Sequence, residues 1–111
     1  MEKTLIIDDK EVKFKATGAI PKRYKMQFGR DFFADLFGME STIKKKNISA
    51  DDIRKINFDV FYDITWTLAK TADNAIPDPL TWLDGFETFP IIEIMPELQD
   101  MLSATIATKK K

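Results

Sequence analysis

From Ala50 to about Asp73, apolar side chains recur at helical spacing around more than half of the circumference. Ile53, Ile56, Val60, Ile64 and Leu68 form one stripe, and Phe58, Phe61, Tyr62, Thr65 and Ala69 flank it as a second. A helix apolar over so wide an arc has to be surrounded by other elements. It is therefore expected to be the central element, around which the rest of the chain packs. Ser49 followed by Asp52 resembles a capping arrangement, and Asp51 and Asp52 suit the positive end of the helix dipole.

The flanking segments supply candidates for that packing. Leu5 and Ile7 alternate with Ile6, and Val12, Phe14 and Ala16 alternate with Glu11, Lys13 and Lys15. That period of two predicts a β-hairpin turning at Asp8-Asp9-Lys10. A lone hairpin is marginal in water, so its apolar face is expected to lie on helices or on another copy's strands. Pro21 suits a helix start, and a helix is predicted from Ile20 to Phe37, closed by Gly38. Tyr24, Phe28, Phe32 and Leu36 form its stripe, with Phe33 and Phe37 beside it; Lys22, Arg23, Lys25 and Arg30 lie opposite. Gly29, costly inside a helix, is read as a point of close backbone packing. Asp78-Pro79 starts a short helix through Leu80, Trp82 and Leu83 that Gly85 closes. A last helix is predicted from Pro90 to about Ala107, where Pro96 either kinks it or begins a new one. The fold class expected is α+β and mostly helical, with the hairpin packed on a small bundle of three to four helices. A single domain is predicted, with residues 1–18 as hairpin, 19–107 as helical part and 108–111 as basic tail.

Composition then narrows function. The 111 residues include no Cys and no His. Disulfide frameworks, Cys/His zinc sites, thiol nucleophiles and His-based triads are thereby excluded, which points to a cytoplasmic, non-redox protein and away from an enzyme. The only apolar run near the start, Thr4-Leu5-Ile6-Ile7, is far too short for a signal-peptide core, and no stretch approaches the ~20 residues that span a bilayer. Seventeen basic residues against eighteen acidic ones argue against a generally basic nucleic-acid binder. The charge is unevenly distributed, however, with a balance of +4 over residues 1–55 and −5 over 56–111. Either the halves of one domain attract each other, or neighbouring copies meet basic face to acidic face.

Asp59 and Asp63, four apart on the central helix, have the spacing of an acid/base or cation-binding pair, but no third ligand accompanies them and a solvated face explains them as well. Asp73, Asp78 and Asp84 lack the spacing of a calcium loop. Neither a catalytic residue nor a metal or cofactor site is expected. Lys44-Lys45-Lys46, with no interleaved aromatics, reads as a solvated loop, or else as part of a regulatory or nucleic-acid-associated module using the basic N-terminal half. Nine Phe are more informative. Most belong in the core, yet one or two exposed together would mark a partner surface. The candidates for that apolar surface are Phe32, Phe33, Phe37, Trp82 and Phe86, with Phe89 close to the last two.

The order of these features carries a resemblance. A short hairpin precedes Tyr24-Lys25-Met26-Gln27-Phe28-Gly29-Arg30-Asp31-Phe32, followed by a charged gap, a long Phe/Tyr-rich helix, a Trp82-Leu83 segment and an amphipathic C-terminal helix. This resembles the tail assembly chaperones of siphophages and prophages of Gram-positive bacteria, and Phe28-Gly29-Arg30-Asp31 is its most specific piece. The resemblance implies a non-catalytic protein of the bacterial host cytoplasm. It would shield the long helical tape measure protein during tail assembly and associate with itself. It also implies a longer form made by ribosomal frameshifting, through which the major tail protein would be a further partner. Lys109-Lys110-Lys111 suits an adenine-rich slippery message, or serves as a solubilising tail. Arg30 and Asp31 have a structural use as well, holding helices together through charge-assisted hydrogen bonds.

Overall fold

In a computed structural model, described here for residues 1–43, 49–55 and 57–106, the chain forms a hairpin and six helices. The order is β1 (Glu2–Ile7), β2 (Lys10–Lys15), α1 (Ile20–Phe28), α2 (Phe32–Ile43), α3 (Ala50–Lys55), α4 (Phe58–Ala72), α5 (Pro79–Asp84) and α6 (Ile91–Ile106). This is the mostly helical α+β class expected.

The strands pair antiparallel from Glu2↔Lys15 to Ile7↔Lys10. The loop is therefore the two residues Asp8 and Asp9, at φ 53° and 61°. Left-handed conformation at both positions matches the twist of the flanking strands, and aspartate tolerates it better than most residues. The alternation holds in three dimensions: Ile7, Val12 and Phe14 are buried, whereas Ile6 on the other face is exposed. The apolar face lies on helices of the same chain, with β2 along α4.

Two of the expected long helices are each divided. Gly29 at φ 74° ends α1, its N–H donating to the Lys25 carbonyl at 2.8 Å. Nothing lies within 4 Å of where a Cβ would stand, so this glycine answers a need for left-handed backbone rather than for close packing. Asp31 then opens α2, its Oδ2 accepting from the Ala34 N–H at 2.8 Å. Gly38 does not close this segment; it lies within α2, which runs to Ile43. Similarly, Asn57 is extended (φ −88°, ψ 94°) and its side chain accepts from the Val60 N–H, so α4 starts afresh after α3. Both divisions come from polar or glycine punctuation inside an unbroken apolar period.

α4 occupies the centre as expected, with Val60, Phe61, Ile64, Thr65, Trp66, Thr67, Leu68 and Ala69 all buried. α5 begins at Pro79 behind Asp78, which accepts from both the N–H and the hydroxyl of Thr81. Those bonds hold the Asp78 carboxyl below its ordinary range. α6 neither stops nor restarts at Pro96, which lies on its exposed side. Ile94, Met95, Leu98, Met101 and Leu102 fill the core from α6. Among the described residues, no helix is long and apolar enough to cross a membrane.

Candidate partner-binding surface

The candidate aromatic residues fall into two separate groups of ring contacts. In the first, a column of rings rises from the core along α1 and α2. Tyr24 and Phe32 meet edge-on with centroids 5.5 Å apart, Phe32 and Phe33 follow at 5.6 Å, and Phe33 and Phe37 stack at 6.3 Å. Burial falls along the column. Tyr24 and Phe32 are buried, Phe33 is half-buried, and Phe37 is 58% exposed. In the second group, Trp82, Phe86 and Phe89 form a triangle with centroids 5.3–5.5 Å apart, and Tyr62 adds to it at 5.8 Å from Phe89. Trp82 is buried and Phe86 half-buried.

The five candidates for an exposed apolar surface are thus divided. Phe32 and Trp82 are buried in the core; Phe33 and Phe86 are shared between core and surface, and Phe37 is outward. No ring contact joins the two groups among the described residues. The helical stripe through residues 20–37 could not sort them, because the turn at Gly29 rotates α2 relative to α1. Five further exposed large apolar residues lie elsewhere among the described residues: Met1, Ile6, Met26, Leu80 and Ile92. Ile6 and Met26 were legible in principle, as each occupies the phase opposite its element's buried residues.

The Phe28-Gly29-Arg30-Asp31 run forms the elbow between α1 and α2. With Gly29 turning the backbone and Asp31 capping α2, the Arg30 side chain reaches three helices. Its Nε donates to Asp35 Oδ2 at 2.9 Å, and its Nη2 to the Tyr24 hydroxyl at 2.9 Å and to Asp63 Oδ2 at 2.5 Å. The Tyr24 hydroxyl in turn donates to Asp35 at 2.6 Å. The guanidinium also stands over the Tyr24 and Phe28 rings, with centroids at 5.5 and 5.6 Å. A charge shared with two carboxylates has its protonated form favoured further. Burial, then the bond to Asp35, raises the Tyr24 phenol above its ordinary value. Burial also pushes the Asp63 carboxyl up, against the opposing pull of Arg30.

Asp63 therefore serves in an interhelical ion pair, while Asp59, one turn earlier, is exposed. The two do not converge on a common site. Among the described residues, no group of three or more His, Cys, Asp or Glu is placed to hold a metal ion. Lys44-Lys45-Lys46 and Lys109-Lys110-Lys111 lie outside the described residues. What the arrangement offers chemically is apolar contact: a stacked Phe33–Phe37 pair whose inner rings are anchored in the core. Comparison with protein-family models, with curated proteins and with solved structures returned no match.

Proposed function

We propose that the protein is a non-catalytic tail assembly chaperone that binds and shields the long helical tape measure protein in the cytoplasm of a bacterial host. The observation that carries this reading is Phe37, exposed on α2 and stacked on the half-buried Phe33. A rigid aromatic presented to solvent at little conformational cost is the kind of anchor that seats in the apolar stripe of a helical partner. The order of elements and the Phe28-Gly29-Arg30-Asp31 elbow support the family resemblance. Self-association, and a longer frameshifted form that meets the major tail protein, belong to the same proposal.

Co-expression with the long helical protein encoded downstream tests it. The wild type co-purifies with that protein, and Phe37→Glu loses it while far-ultraviolet circular dichroism is unchanged. Retention by Phe37→Glu would overturn the assigned surface. An absence of adenine-rich codons at 108–111 and of an overlapping −1 frame would remove the frameshifted form.

A further inference from the structure

A second exposed apolar feature lies away from the aromatic column. Helices α1 and α4 leave an open groove of about 300 Å3 between them, lined by Arg23, Met26, Gln27, Trp66, Thr67 and Lys70. Met26 forms its lip and, at 75%, is the most exposed large apolar side chain among the described residues. The Trp66 indole N–H is already satisfied by the Pro77 carbonyl at 2.8 Å, and the ring, 5% exposed, adds a narrow apolar edge to the groove.

The rim is cationic. Lys70 donates to the carbonyls of Asn74 and Ile76, both at 2.7 Å, which fix its position without neutralising its charge. Arg23, with Lys22 and Lys25 on the same exposed turn of α1, makes no ion pair among the described residues, and no acidic residue lines the groove. A groove edged by exposed Met26, with the two cations Arg23 and Lys70 among its lining residues and no carboxylate opposite them, selects an occupant that is apolar at its centre and anionic at its margins. Because the walls are two helices rather than a strand edge, the shape is that of a groove for a third helix.

We infer that this groove binds an acidic amphipathic helix, whose apolar residues seat on Met26 and the exposed edge of Trp66 while Asp or Glu on its flanks meet Arg23 and Lys70. The inference rests on reading the protein as a shield for helical clients, and it specifies which client segments are held here. The competing occupant is a second copy of this chain, whose α6 presents exposed Glu93, Glu97 and Asp100 along one face.

The test uses two synthetic peptides of roughly 18 residues, enough for several helical turns. One is a Leu/Ala/Glu amphipathic sequence, and the other has every Glu replaced by Lys. Trp82→Phe makes Trp66 the single tryptophan, and calorimetric titration of the wild type gives the same answer should that variant fold poorly. The Glu peptide is expected to shift Trp66 emission and to bind about tenfold more weakly to Met26→Asp and to Arg23→Glu. Its affinity is also expected to fall as salt rises, and the Lys peptide should not bind. Phe37→Glu should leave peptide binding unchanged, which separates this groove from the α2 surface. The inference fails if the Glu peptide does not bind or if both peptides bind alike. It also fails if the protein instead forms a concentration-dependent oligomer that Arg23→Glu dissolves. Should the peptide bind while no tape measure protein co-purifies, the client reading falls and the groove stands.

Discussion

The two aromatic clusters have similar composition but end differently at the surface. Over the Trp82–Phe86–Phe89 triangle the tip of the hairpin closes down. The Lys10 ammonium stands 5.2 Å from the Phe86 centroid and donates to the Gly85 carbonyl, while Asp8 accepts from the Glu87 N–H at 2.9 Å. Over the α1–α2 column, Arg30 covers only the inner end, at Tyr24 and Phe28. Phe37 has no such cover among the described residues. An excess of phenylalanine therefore says little by itself about a binding surface. What distinguishes the clusters is whether a polar group from a distant part of the chain finishes the exposed ring.

The largest expected effect lies at the covered cluster. Trp82→Ala should cost about 3–5 kcal/mol in urea denaturation, because a buried ring is removed from between Phe86 and Phe89. A loss below about 1 kcal/mol would mean that the triangle is not part of the core. Arg30→Ala comes next, at about 1–3 kcal/mol, since it leaves Asp35 and Asp63 facing each other without their shared cation. Partial exposure of Arg30 places the value toward the lower end.

The same network sets an alkaline limit. A phenol whose value is raised in the fold keeps its proton where the unfolded chain has begun to release it. Stability is thus intact below about pH 10, the ordinary tyrosine value, and falls as the pH rises above it. Denaturation curves measured across that range should show the fall, and Tyr24→Phe should lessen it. Lys10→Ala is expected to cost about 0.5–1 kcal/mol and to increase dye binding, by uncovering Phe86. Phe37→Ala, the smallest, should alter stability by less than about 0.5 kcal/mol. Equal losses at Lys10 and Phe37 would erase the distinction between covered and uncovered clusters.

Legibility in the sequence followed the range of the interaction concerned. Periods of two and 3.6 located the hairpin, α4, α5 and α6, because alternation and helical spacing are properties of neighbouring residues. The Asp78-Pro79 start and the Gly85 end of α5 were equally local. The breaks at Gly29 and Asn57 were missed for a related reason: the apolar period runs through both, and the punctuation consists of one residue against a dozen. Gly29 carried the needed signal, a glycine in a helical pattern, but its reading as a packing contact competed with that of a left-handed cap. Of the candidate surface, Phe37 is exposed, whereas Phe32 and Trp82 are buried.

The amino-acid order alone located the hairpin, α5, α6 and the central place of α4, and it carries no Cys or His for thiol or imidazole chemistry. It also determined that aromatic side chains would be plentiful. Only the tertiary structure decided which rings stay exposed, since that depends on a rotation at Gly29 and on a lysine reaching 76 positions along the chain to lie over Phe86. Likewise, only the fold made Asp63 a partner of Arg30, 33 residues away. Local periodicity records which side of an element turns inward; which distant group arrives to cover the remainder is set by three-dimensional approach, and no spacing along the chain encodes it.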